Sequence, residues 1–122
     1  MVTGYPLLFE QPADPVLAAK ITAINEATAK LNCVIERAVA TANDADLNIH
    51  YVDVTEEFAR HGLVIQGSVI KCPNPDAFIY GPFIDCDPRK PDPEAFHPTA
   101  DGYRAYADAI SAALPGGWLD KS

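Results

Sequence analysis

Several kinds of protein are excluded by what this sequence does not contain. No apolar run comes near the ~20 residues that a membrane-spanning helix needs. No basic stretch followed by an apolar core opens the chain, so an exported protein of this sequence is expected to carry its signal on a removed segment or on another chain. Positive charge is scarce: nine Lys and Arg stand against 17 Asp and Glu, for a formal net charge of −8. A surface of that sign repels phosphate backbones and anionic lipid, so nucleic acid is not an expected partner. Only three cysteines are present, with no Cys-x-x-Cys pair, which argues against a dithiol redox centre. There is no internal repeat and no low-complexity tract. No cofactor or metal motif is recognisable, and neither is expected.

What is present is globular material. A chain of 122 residues, 48% hydrophobic and 21% charged, is the size of one domain. Val2 to Phe9 reads as the end of a strand entering a loop, punctuated by Gly4 and Pro6. Asp14 then supplies an N-cap and Pro15 suits a first helical position. Leu17, Ile21, Ile24, Thr28, Leu31, Ile35, Ala38 and Ala42 recur at steps of three and four, predicting a core-covering helix to about Asn43. Cys33 falls inside it and is expected to be a small buried hydrophobe. Leu47 to Val54 alternates with apolar residues on both sides, as in a strand covered on both faces. Strand, long helix, strand is a βαβ unit, expected to be right-handed. Thr55 to Arg60 reads as a short helix with a cap at Thr55. Thr99 is expected to cap a last helix with Tyr103, Tyr106, Ala107, Ile110 and Leu114 apolar, stopped by Pro115-Gly116-Gly117.

Between Gly62 and Pro93 the sequence is loop-rich, with six prolines from Pro73 to Pro93. Cys72 and Cys86 flank much of this loop. They either close it as a disulfide or stand as two free thiols; the bridge is the expectation. It would stabilise by about 3 kcal/mol through reduced chain entropy and implies an oxidising compartment. Neither cysteine has a second cysteine or histidine close by, which weakens a metal reading.

Three histidines could serve chemistry: His50, His61 and His97. His50 lies in the second strand pattern and reads as structural. His61 reads as a solvated turn residue. His97 follows Phe96, precedes Pro98, and stands at the mouth of the last helix. Pro98 restricts it to extended backbone angles, and a packed Phe96 would help fix where its ring points. Glu94, three residues upstream, would accept the Nδ1 proton and leave Nε2 to take a proton from a nucleophile. On these residues alone, an imidazole before a helix with an exposed carboxylate nearby is the favoured reading of the pattern.

The segment Glu94 to Ile110, with His97, Pro98, Thr99, Gly102, Tyr103 and Tyr106, resembles the last conserved block of the SGNH (GDSL-type) hydrolases. Val2-Thr3-Gly4-Tyr5-Pro6 looks like the strand-to-loop segment after the midpoint of such enzymes. Tyr51-Val52-Asp53-Val54, followed by Phe58 and His61-Gly62, resembles their next strand and turn. The resemblance covers most of the chain in order. It implies an α/β chain forming part of a flavodoxin-like three-layer α/β/α sandwich: the last parallel strands and flanking helices, with residues 1–122 as the C-terminal half of one domain. It implies ester hydrolysis, with His97 catalytic. The family's usual histidine partner is an Asp three positions upstream; here Glu94 occupies that place, with Asp92 two residues further back.

The nucleophile is missing. The family's serine lies in a Gly-Asp-Ser motif after the first strand, and its oxyanion hole uses a Gly and the Asn of a Gly-x-Asn-Asp motif. None of these is found here. The serines are Ser68, Ser111 and Ser122. Gln66-Gly67-Ser68 lacks the Asp and falls in the wrong chain order, and Asn43-Asp44 follows the long helix. The expected partner is therefore the N-terminal half as a second chain, beside which alone this chain should be stable. The expected substrate is a small-molecule or lipid ester, and the expected location is extracellular. The alternative is a non-catalytic binding or interaction domain using the Pro- and aromatic-rich loop 72–93, with Phe78, Tyr80 and Phe83.

Overall fold

The computed structural model describes residues 1–114; the stop at Pro115-Gly116-Gly117 and Ser122 lie outside the described residues. The fold is mixed α/β, with two helices and small sheets. Strand β1 (Val2–Thr3) leads through a loop to helix α1 (Pro15–Asp44), and β2 (Tyr51–Val52) follows. Strands β3 (Ile65–Gln66) and β4 (Val69–Ile70) form a hairpin, Ile84–Cys86 makes a 3-10 turn, and α2 (Ala100–Ala113) closes the described chain. β1 and β2 are parallel, with Val2 opposite Tyr51 and Thr3 opposite Val52. A parallel bridge between Phe9 and Leu63 continues the same sense of pairing further along.

Helix α1 begins as the sequence predicts. The Asp14 carboxylate accepts from the N–H groups of Val16 and Leu17 at 2.9 and 3.0 Å, and Pro15 takes the first position, which needs no donor. Its 30 residues span about 45 Å. The face it turns inward overlaps the expected one, with Leu17, Ile21, Thr28, Ile35 and Ala42 all at least half-buried, but is rotated from it. Ile21 and Val39 are buried and Asn25, Thr28, Asn32 and Ile35 half-buried, whereas Ile24, Leu31 and Ala38 are exposed. Cys33, expected inside, is exposed as well. The cause is a set of side-chain hydrogen bonds that the apolar spacing does not register. Asn32 holds both peptide groups of Tyr5: its Oδ1 accepts from the Tyr5 N–H at 2.7 Å, and its Nδ2 donates to the Tyr5 carbonyl at 2.9 Å. Asn43 does the same to Ile49, at 2.8 and 2.6 Å. These pairs set the rotation of the helix.

Asn43 also explains why the second strand is short. The expected strand from Leu47 to Val54 is reduced to Tyr51–Val52. Asp46 turns into left-handed backbone at φ 62°, and the Asn43 amide occupies the pairing groups of Ile49. Side chains alternate along a strand. Accordingly Tyr51 reaches toward α1, where its hydroxyl and Asn32 both crowd Gly4, while Val52 packs with Ala105 and Ala109 of α2. The two helices therefore cover opposite faces of the β1–β2 pair. Burial, then the Asp53 and Glu36 carboxylates, push the Tyr51 phenol above its ordinary value.

The expected helix from Thr55 to Arg60 is a run of turns. Asp53 accepts from the Thr55 N–H at 2.9 Å, taking the capping role assigned to Thr55, and Arg60 ends the run at φ 67°. Phe58 nevertheless enters the core with Val52, Val54, Ile79, Ala105 and Ala109. On α2 the inward residues are Gly102, Ala105, Tyr106, Ala109 and Ile110; Tyr103 and Ala107 face outward. The hairpin β3–β4 lies in a stretch that reads as loop. Cys72 and Cys86 are joined as a disulfide, and no helix among the described residues is long and apolar enough to cross a membrane.

Asn32→Ala tests the anchoring of α1. Two lost hydrogen bonds cost about 2 kcal/mol, and the better helix preference of alanine offsets about 0.6 kcal/mol. The expected net loss is about 1–1.5 kcal/mol in urea unfolding, against a change within about 0.5 kcal/mol for Lys30→Ala on the exposed face. An unchanged midpoint for Asn32→Ala would show that water replaces both bonds.

Candidate active site

The turn that presents His97 is built from backbone upward. The Asp92 N–H donates to the Pro82 carbonyl at 2.9 Å, and Asp92 Oδ1 accepts from the Glu94 N–H at 2.8 Å. The Ala95 N–H donates to the Asp92 carbonyl and the His97 N–H to the Glu94 carbonyl, at 3.1 and 2.9 Å. Phe96 then adopts φ 66°, a left-handed conformation that costs a residue with a Cβ about 1–2 kcal/mol. The Phe96 ring, expected to be packed, is 45% exposed and rests tilted against Phe9 at 6.4 Å.

This strained corner is held by the segment Phe78–Tyr80. The Phe96 N–H donates to the Tyr80 carbonyl, the Tyr80 N–H to the His97 carbonyl, and the Thr99 N–H to the Phe78 carbonyl, each at 2.9 Å. Ile79 bridges antiparallel to Pro98 and is itself 2% exposed, so the pairing is rooted in the core. Thr99 caps α2, its Oγ1 accepting from the Gly102 N–H at 3.2 Å. Gly102 allows the helix to start this close: a Cβ there would collide with the Phe78 carbonyl oxygen and with Pro98.

His97 and Glu94 come together in one open cleft of about 310 Å³, walled by Tyr80, Pro98, Ala100 and Tyr103. Both residues are exposed; no hydrogen bond or ion pair joins the Glu94 carboxylate to the His97 imidazole, and neither side chain is committed elsewhere among the described residues. No serine, threonine or cysteine lines the cleft. Asp92 lies on the other side of the turn, in a neighbouring groove, with one carboxylate oxygen holding the Glu94 N–H. Ser68 sits in the β3–β4 turn and lines that same groove, and Ser111 is exposed on α2.

The other two histidines are placed differently. The His50 carbonyl accepts from the Val2 N–H at 2.8 Å and so extends the β1–β2 pairing. His61, read as solvated, is half-buried and stacked flat on Phe78, with ring centroids 3.7 Å apart. Its Nδ1 lies 2.8 Å from the Asp76 carbonyl oxygen. A carbonyl only accepts, so Nδ1 carries the proton, and Nε2 holds the lone pair in the neutral ring. Nothing in the spacing of His61 and Phe78 signals this stack. Beneath the site, burial pushes the Tyr106 phenol above its ordinary value, with smaller contributions from Tyr5 and Tyr103. Among the described residues, no group of three or more His, Cys, Asp or Glu side chains is arranged to hold a metal ion.

Comparison of the chain with models of protein families, with curated proteins and with solved structures found no match.

Gly102→Ala probes the contact that carries α2 against Phe78. In an unconstrained helix this change stabilises by about 1 kcal/mol. Here the collision with backbone reverses the sign, for an expected loss of about 1–3 kcal/mol in urea unfolding. A gain in stability would mean that α2 can retreat from Phe78 without cost.

Proposed function

We propose that this chain is the C-terminal half of a GDSL-type serine ester hydrolase, completing a flavodoxin-like α/β/α sandwich with a second polypeptide. That second chain, the N-terminal half, supplies the nucleophilic serine and the oxyanion-hole donors. The observation that carries this reading is the open cleft in which His97 and Glu94 stand together without a nucleophile of their own.

In this mechanism Glu94 accepts the Nδ1 proton of His97 and orients the ring. Nε2 takes the proton from the incoming serine as its oxygen attacks the ester carbonyl. The imidazolium then returns that proton to the departing alcohol, leaving an acyl-enzyme. Water, deprotonated by the same nitrogen, releases the acid. Oxyanion donors on the other chain hold the developing charge, each contributing about 3–4 kcal/mol. The substrate is a small-molecule or lipid ester.

Two features of the surface support a missing half. β1 pairs with β2 alone, so its second edge has no neighbour among the described residues. An exposed sheet edge offers unpaired N–H and C=O groups as a template for another strand. In addition, α1 exposes Val16, Ile24, Leu31 and Val34, each between 42% and 65% accessible. A second chain adding a strand to β1 and a helix against α1 would cover both. The Cys72–Cys86 disulfide supports an extracellular location. The groove beside the cleft favours a second reading, a non-catalytic binding domain using loop 72–93.

A fluorophosphonate probe separates the two. In the hydrolase it labels a serine of the partner chain, and His97→Ala slows labelling and ester turnover by about 10⁴–10⁶-fold. Glu94→Gln lowers kcat by up to about 10⁴-fold, whereas Asp92→Asn, which keeps the acceptor for the Glu94 N–H, changes it less than about threefold. Labelling that persists in His97→Ala removes His97 from the mechanism, and a complete absence of labelling favours the binding domain.

A further inference from the structure

A groove of about 830 Å³ lies between the β3–β4 hairpin, the disulfide-closed loop and the start of α2. We propose that this groove binds the uncharged apolar body of the ligand whose reactive group lies at His97. That this ligand is an ester rests on the hydrolase reading; that the groove takes an uncharged apolar body does not.

Three observations carry the proposal. The first is adjacency: Tyr80 lines both the groove and the His97 cleft. A ligand body in the groove therefore touches the same residue that walls the cleft of the imidazole. The second is composition. Val69, Tyr80 and Phe83 stand 65%, 38% and 40% exposed around a floor made by the buried Leu63 and Ile79. Large apolar side chains gathered at a concave surface mark a binding site far more often than scattered ones do. The walls are also pre-organised. Besides the disulfide, the Ile84 N–H donates to the Lys90 carbonyl and the Asp92 N–H to the Pro82 carbonyl, each at 2.9 Å, and Arg89 grips the Asp87 carboxylate with two bonds. A wall already ordered loses little entropy when a ligand settles on it.

The third observation is charge, which decides the class of ligand. Asp85, Asp92 and Asp101 line the groove against the lone ammonium of Lys71. Arg104 offsets Asp101, leaving two carboxylates opposite one cation, within a chain of net charge −8. An anionic head or a free fatty acid is repelled there, while an uncharged alkyl or aryl group is not.

The test uses the isotopically labelled full chain, with its partner where one co-purifies, and two amphiphiles of equal chain length below their micelle concentrations. Hexaethylene glycol mono-octyl ether is the uncharged probe and octyl sulfate the anionic one. The ether is expected to shift the amide signals of Val69, Gly81 and Phe83 saturably, and Phe83→Ser to weaken it about tenfold. Phe83 is exposed enough that this change leaves the fold intact. Octyl sulfate is expected to bind about fivefold more weakly at low salt, the difference vanishing at 1 M salt, where the Debye length is about 3 Å. Shifts spread evenly over the surface, an unchanged affinity in Phe83→Ser, or octyl sulfate binding as tightly as the ether at low salt would each overturn the proposal. Groove binding without fluorophosphonate labelling in the assembled protein sinks the hydrolase reading alone; labelling without groove binding sinks the groove alone.

Discussion

Three backbone hydrogen bonds between Phe78–Tyr80 and Phe96–Thr99 hold the His97 turn, the cleft and the start of α2 in register. They fasten the His97 turn to Ile79, one of the most deeply buried residues of the described chain. They fix the left-handed Phe96, whose conformation has no support of its own. They also deliver Thr99 to the start of α2, where Gly102 lets the helix come to rest on the Phe78 carbonyl. The cleft and the groove share Tyr80 because that residue's backbone is the rail on which the turn is hung. Moving this pairing by one residue would exchange inward and outward side chains and take His97 out of its cleft.

The opposite side of the molecule is organised by a different force. α1 is held by polar contacts, with Asn32 and Asn43 each completing a peptide group of a neighbouring segment. Such bonds contribute about 1 kcal/mol apiece, yet they are directional, and they settle a rotation that apolar burial alone would leave open. The helix keeps its most apolar exposed stripe, Ile24, Leu31 and Val34, away from the chain's own core. The side of the chain with the fewest internal commitments is thus the side that the proposed second polypeptide would cover.

Much of this was legible in the sequence, and the exceptions share a cause. The start of α1 was readable because capping is local: Asp14 and Pro15 act on the residues beside them. Thr99 was readable for the same reason. The Cys72–Cys86 pairing followed from the loop it closes. The inward face of α1 departs from the expected one at Ile24, Leu31 and Ala38, because apolar periodicity does not see asparagine acting as a peptide partner. The extent of the second strand was misread for the same reason, through Asn43. The β3–β4 hairpin had a signal, Val-Ile-Gln-Gly-Ser-Val-Ile, with Gly-Ser as a two-residue turn between apolar pairs. Its Gly67 sits at φ 63°, as such a turn requires. The same residues include Gln66-Gly67-Ser68, which lacks the Asp of a nucleophile motif. In the site, His97 and Glu94 are read from local spacing, and the structure lines one cleft with both. The stack of His61 on Phe78 and the groove beside Tyr80 depend on residues far apart in sequence, which no local pattern joins.

In the proposed function this chain is one half of a divided catalytic centre, with the proton carrier on one polypeptide and the attacking oxygen on another. The most direct measurement is the native mass of the protein purified without denaturant from its source. The account expects the 13.1 kDa chain in a one-to-one complex with a second polypeptide that carries a Gly-Asp-Ser segment. A free monomer of 13.1 kDa that unfolds in a single cooperative transition would contradict it.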